Sequence, residues 1–415
     1  AMSSAASDVY KRQSISSPYY LTAVGNTVYF TADDGTHGRE VWKSDGTASG
    51  TVMVKDIYTG SDITVAPGGL TAVGNTLYFI ANDGTNGYEL WKTDGTSSGT
   101  VMVKNINPNY NHASFQGINY FGAVGNTLYF TADDGTHGNE LWKSDGTASG
   151  TVMVKDINSG SSDSSTNHLT AVGNTVYFTA NDGTNGIELW KSDGTASGTV
   201  MVKDINSGSG SIPDQLTAVG NTLYFIANDG TNGKELWKSD GTASGTMMVK
   251  DINSGSTGSM TWAGDYLISV GNTLYFTADD GTNGNELWKT DGTASGTVMV
   301  ADIRSGSGGS YSYQATAFGN TLYLRATDGT NGYELWKSDG TASGTVMVSD
   351  INSGSGSSSA PGGLIVAGTT LFFDANDGTN GRELWALDPA NITGLSSGSS
   401  SSSASAYANN KVGVG

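Results

Sequence analysis

The chain alternates short apolar runs with glycine-centred polar turns, and it does so eight times. In the first copy residues 21–24 (Leu-Thr-Ala-Val) form a short apolar segment that ends at the turn pair Gly25-Asn26. Residues 27–32 alternate around Tyr29 and Phe30 and are rich in β-forming side chains. Asp34-Gly35 and Gly38 bracket a second turn, and residues 40–44 follow as a third strand centred on Val41 and Trp42. A third turn, from Asp45-Gly46 to Gly50, leads into a fourth strand over residues 52–57. Links of about two to six residues join only antiparallel neighbours, so each copy is predicted to be a four-stranded meander.

The copies keep a fixed period. Their tryptophans are Trp42, Trp91, Trp142, Trp190, Trp237, Trp288, Trp336 and Trp385. A four-strand unit repeating at about 50 residues is the sequence form of a β-propeller. Both faces of a strand are apolar, Tyr29 with Thr31 on one side and Phe30 with Ala32 on the other. That pattern suits a sheet sandwiched between two others, whereas an open sheet would alternate apolar with polar. The expected fold is therefore all-β, an eight-bladed β-propeller, with the tryptophans packed between blades. Residues 1–395 form the expected propeller domain. The eighth copy departs after Trp385, where Ala386-Leu387-Asp388-Pro389 replaces the usual Lys-Ser-Asp-Gly and no Val-Met-Val strand follows. Residues 10–15 are one source of the missing strand and residues 391–395 another. Residues 396–415 are rich in Ser and Gly and read as a flexible tail or linker.

Glu140-Leu-Trp-Lys-Ser-Asp-Gly-Thr147 resembles the ELWxxDGT repeat of large, mostly exported bacterial proteins. The resemblance runs from residue 21 to about residue 387. Val41 replaces Leu in the first copy, and the last copy loses the Asp-Gly-Thr. The resemblance implies a propeller-like surface or secreted protein and no defined reaction.

Composition narrows the function classes. Gly is 60 of 415 residues and Pro only 6, as many short strands and tight turns require. There is no Cys, hence no disulfide, thiolate metal site or cysteine nucleophile. The net charge of −19 repels nucleic acid and anionic membrane surfaces and attracts cations. No apolar run approaches 18 residues, so no membrane insertion is expected.

Meander topology puts the turns between strands two and three on the same face as the crossovers between copies. The crossovers, residues 58–69, 107–120, 158–168, 206–215, 253–266, 304–314 and 352–363, are where the copies differ most. They carry Tyr58, Tyr110, Phe115, Tyr120, Trp262, Tyr266, Tyr311 and Tyr313, aromatics outside the repeat pattern and suited to stacking on sugars or to protein recognition. One further position varies, just before the repeated Glu: Arg39, Tyr88, Asn139, Ile187, Lys234, Asn285, Tyr333 and Arg382. A site that accepts Ile or Arg is expected to be exposed.

Two acids recur in every copy. One series is Asp34, Asp83, Asp134, Asp182, Asp229, Asp280, Asp328 and Asp377. The other is Glu40, Glu89, Glu140, Glu188, Glu235, Glu286, Glu334 and Glu383. The short loop between the two suits either ordinary turn and cap chemistry or a hard cation such as Ca²⁺. No cofactor is required. Lys43 with Asp45, and Lys55 with Asp56, read as solvated charges worth little each. His37 and His137 stand where six copies have Asn, so they read as loop substitutions. No nucleophile elbow, phosphate cradle or His–carboxylate constellation appears. The expectation is a monomeric, non-catalytic, extracellular or cell-surface module that binds a glycan or a surface protein through its variable loops. A purely structural scaffold, Ca²⁺-stabilised or not, is the alternative. A propeller hydrolase or lyase comes last.

Overall fold

A computed structural model describes residues 18–108, 118–260, 266–354 and 356–388, without the side chains of 118–120 and 313. The chain is all-β, an eight-bladed β-propeller by class, and the described residues contain no helix. Both proposed sources of the last blade's fourth strand, residues 10–15 and 391–395, lie outside the described residues, as does the tail from 396.

The first blade is a meander of β1 (Tyr19–Val24), β2 (Thr27–Asp33), β3 (Arg39–Ser44) and β4 (Val52–Lys55), paired in that order. Each later blade repeats it, except that the eighth has three strands among the described residues: Gly362–Ala367, Thr370–Asn376 and Arg382–Leu387. The chain divides into two compact units, Ala1–Ile212 with blades 1–4 and Pro213–Gly415 with blades 5–8.

Within each unit the core lies between successive blades. In the first, Tyr29, Val41 and Val54 of blade 1 pack on Leu77, Phe79 and Trp91 of blade 2. Tyr78, Leu90 and Val103 of blade 2 meet Leu128, Phe130 and Trp142 of blade 3 in the same way. In the second, Tyr224, Leu236 and Val249 meet Leu274, Phe276 and Trp288. The two-faced apolar pattern and the tryptophan both follow from this: a blade between two others within a unit is covered on both sides, and the indole fills the gap between sheets.

The lysines differ from the expected solvated charges. Lys43 Nζ donates to the Gly95 carbonyl of the next blade at 2.8 Å, and Lys92, Lys143, Lys238 and Lys289 repeat the contact at the same distance. The fourth-strand lysines do likewise. Lys55 donates to Thr100 O at 2.9 Å while its ammonium lies 5.8 Å from the Trp91 ring centre, and Lys104, Lys155 and Lys250 follow suit. Their stems run over apolar surface and their heads cap the neighbour's turn carbonyls, so these charges join blades rather than decorate them.

The Asp-Gly-Thr turns match their sequence reading. Asp45 Oδ1 accepts from Thr47 N at 2.9 Å and Thr47 Oγ1 at 2.7 Å, and Thr47 Oγ1 accepts from Gly50 N at 2.9 Å. The Thr47 hydroxyl and N–H hold Asp45 below the usual carboxylate range. A Cβ on Gly50 would strike the Asp45 carboxylate, which accounts for the invariant Gly.

Candidate functional site

Among the described residues, a crossover begins where a fourth strand ends and lies beside the turn between strands two and three. A Cβ on Gly38 would sit 3.2 Å from the Gly60 carbonyl, and its φ of 71° lies in the left-handed region, so both the close crossover and the backbone favour glycine.

The Asp of that turn serves the turn itself. Asp34 Oδ1 accepts from Thr36 N and His37 N at 2.9 Å each, and Oδ2 meets His37 Nδ1 at 2.8 Å. In the second blade Asn86 Nδ2 takes the histidine's place on Asp83 at 2.7 Å. Asp134, Asp182, Asp229, Asp280, Asp328 and Asp377 repeat the arrangement with His137 or Asn. Burial pushes Asp34 up, but the donors from His37 and Thr36 outweigh it and leave the carboxyl below its ordinary range.

The Glu serves a different loop. Glu40, Glu89, Glu140, Glu188, Glu235, Glu286 and Glu334 are all buried. Each accepts from backbone N–H groups at the start of the crossover: Tyr58 N on Glu40 at 2.9 Å, Ile106 N on Glu89 at 2.9 Å, Ile157 N on Glu140 at 2.9 Å. In later blades the same carboxylate also holds the far end. Glu188 accepts from Ile205 N, Asn206 N, Ser211 N and the Ser211 hydroxyl, the last at 2.5 Å. Ser259 closes on Glu235 and Ser359 on Glu334 through both N–H and hydroxyl, and Ser310 N–H reaches Glu286. One buried carboxylate thus ties both ends of a variable loop.

Asp83 and Glu89 lie close enough that the Asp charge raises the Glu, but their oxygens bond separate backbone segments. No group of three or more His, Asp or Glu side chains is arranged to hold a metal among the described residues. Binding Ca²⁺ would require these oxygens to turn away from their present donors.

Desolvation pushes Glu40, Glu89, Glu140 and Glu286 up to about 7, against the pull of their backbone donors. It raises Glu188, Glu235 and Glu334 as well. A carboxyl whose folded pKa exceeds its unfolded value near 4.5 binds a proton more tightly when folded. It contributes stability in full below about pH 4.5 and loses that contribution as pH rises through about 7. The turn Asp residues act oppositely, losing their contribution only as pH falls below their ordinary range. The melting temperature should therefore peak near pH 5 and fall by several degrees by pH 8. Calorimetry across pH 3–9 checks this; a flat or rising profile between pH 5 and 8 would contradict it.

Of the eight crossover aromatics, Tyr110, Phe115 and Trp262 lie outside the described residues, and so do the side chains of Tyr120 and Tyr313. The other three are half-buried. Tyr58 packs against the core between blades 2 and 3 and beside Gly84 of the neighbouring turn. The Tyr266 hydroxyl is buried without a hydrogen-bond partner, and burial pushes its pKa up. Tyr311 sits on left-handed backbone at φ 45°. The position before the Glu is not uniformly exposed: Tyr88 and Asn285 are buried. The crossover folds back over them. The Tyr88 hydroxyl accepts from Ala66 N at 3.2 Å, and the Asn285 carbonyl accepts from Ser310 N at 2.9 Å.

A further pattern escaped the sequence reading. Among the described residues, four crossovers end with a buried serine, then a left-handed residue, two more residues and a second left-handed residue. The serines are Ser164, Ser211, Ser310 and Ser359. The first left-handed set is Ser165, Ile212, Tyr311 and Ala360; the second is His168, Gln215, Gln314 and Gly363. Tyr20 and Gly69 occupy the second position in the first two blades. Non-glycine residues seldom accept positive φ, which costs about 1–3 kcal/mol where it persists. The fixed four-residue step from serine to second left-handed residue was the signal available in the sequence.

Residues 222–412 match the family model described as outer membrane protein assembly factor BamB. No curated protein sequence matches the chain. Among solved structures, a puromycin hydrolase is similar at TM-score 0.41 and 14% identity, over 79% of this chain and 53% of that one. A mutant of that hydrolase complexed with PGG gives TM-score 0.41 and 13% identity over 90% and 52% of the two chains. A structure from a study of two prolyl endopeptidases gives TM-score 0.44 and 12% identity over 84% and 51%. The chain spans about half the length of these proteins.

Proposed function

We propose that this protein is a non-catalytic binding module, displayed at or outside the cell surface, that presents its variable crossovers to a glycan. The resemblance of its repeat to the ELWxxDGT repeats of exported bacterial proteins supports the location. One observation supports the role above the rest: in seven blades a buried Glu holds the start of the segment that varies most between blades. Burying a carboxylate is costly unless donors satisfy it, and here the donors are the loop ends. Rigid presentation lowers the ordering cost of binding, and similar neighbouring blades add avidity.

A printed glycan array probed with the full chain tests the proposal. Saturable binding to a defined glycan class is expected. A second reading, a protein ligand, is favoured by the match of residues 222–412 to the assembly-factor family. It would show as a blank glycan array with saturable binding to an immobilised outer-membrane protein. Blank results in both assays would leave the repeat as scaffold alone.

A further inference from the structure

The first strands of neighbouring blades lie side by side within each unit. Among the described residues, six crossovers or leaders enter their first strand through one left-handed residue, and the strand register shifts around it. Glycine fills this position in two blades. At Gly69 a Cβ would collide with the Phe121 ring, and at Gly363 it would meet the Asp374 carboxylate. Elsewhere the position carries Tyr20, His168, Gln215 and Gln314, all at φ 55–56° and all exposed.

The backbone there is fixed rather than loose. Thr22, Thr170 and Thr217 donate their hydroxyls to the carbonyls of Tyr20, His168 and Gln215 at 3.3, 3.2 and 2.9 Å. The Asn167 and Asp214 side chains accept the N–H of His168 and Gln215 at 2.7 Å each. The conformation favours glycine, yet four blades place a large polar or aromatic side chain on it and leave it in solvent. Strained residues persist only where the surrounding structure holds them, and they cluster at binding and catalytic sites.

We propose that this left-handed residue is the ligand-reading position of the repeat, through Tyr20 and His168 in one unit and Gln215 and Gln314 in the other, and that its ligand is a neutral oligosaccharide. The proposal rests on the binding role argued above. The chemistry sets the class. A Gln amide offers a donor and an acceptor together, as vicinal hydroxyls require, and Tyr and His add a ring face with a polar edge. None of the four carries a fixed charge, while the net charge of −19 opposes anionic chains.

The test uses the full chain, an array of neutral oligosaccharides, and calorimetric titration with the best hit. The variant is the quadruple Tyr20→Gly, His168→Gly, Gln215→Gly and Gln314→Gly. Relief of strain should leave its melting temperature equal to or about 2 °C above the original, while affinity falls at least tenfold. An unchanged affinity would overturn the inference and leave the binding role standing. A melting temperature lowered by several degrees would also overturn it, since these side chains would then be structural. If the unmodified protein binds peptides and no neutral sugar, the ligand class is wrong. If it binds neither, the binding role and this inference fall together.

Discussion

Glu188→Ala should lower the melting temperature by about 5–10 °C and open the 205–211 crossover. The carboxylate accepts four hydrogen bonds, from Ile205 N, Asn206 N, Ser211 N and the Ser211 hydroxyl. Truncation leaves those donors buried without partners, a loss on the order of 3–5 kcal/mol. Hydrogen exchange at Ile205 and Ser211 should accelerate while the Trp190 strand stays protected. Glu188→Gln should cost less, because one acceptor oxygen remains, and it should flatten the fall in stability between pH 5 and 8 by one blade's share. Glu383 supplies the contrast. It is half-buried, and no crossover follows it among the described residues, so Glu383→Ala should move the melting temperature by no more than a degree or two. Equal effects at Glu188 and Glu383 would mean the clamp contributes nothing.

Trp142→Ala should destabilise the protein by about 3–5 kcal/mol, the range for emptying a large buried aromatic site. The indole is 5% exposed and packs with Phe130 of its own blade and with Tyr78, Leu90 and Val103 of blade 2. Lys104 Nζ stands 5.6 Å from the ring centre and would lose its platform. The indole N–H has no hydrogen-bond partner, so the loss is one of packing. Trp142→Phe should therefore recover more than half of the deficit. Trp42, only half-buried, should cost clearly less on the same change to Ala. Denaturant titration of the three variants checks the order, and a Trp42 effect as large as that of Trp142 would refute the packing account.

What was legible in the sequence is what is decided within a few residues. The Asp45–Thr47–Gly50 hydrogen-bond ring closes over six residues, and the Asp34 turn over four, so their residue types announce them. Strand alternation and the tryptophan period announced the blades and their two covered faces. What was not legible depends on partners far along the chain. Glu188 finds Ser211, 23 residues on, and Lys43 finds Gly95, 52 residues on. Neither target carries a distinctive side chain, because the acceptors and donors are mostly backbone. Lys43 thus read as a solvated charge, and Tyr88 as exposed, until the neighbouring blade and the folded-back crossover were placed around them. The left-handed residues were hidden for a different reason. Positive φ is normally announced by Gly or Asn, and His168, Gln215 and Gln314 are neither.

These features divide the chain into a uniform scaffold and a set of tethered loops. Phe79, Trp91, Lys55 and Lys43 join blades, the turn Asp residues close their own loops, and the Glu clamps hold what varies. The most direct test is a loop replacement. The crossover sequence 206–214, followed by Gly, would be written into the places of 158–168, 304–314 and 352–363, keeping each Glu and each closing serine and removing His168 and Gln314. Affinity for the ligand identified on the array would then be measured beside the melting temperature. The account predicts that binding falls at least tenfold while the melting temperature stays within a few degrees. Retained binding in a protein with uniform crossovers would contradict it.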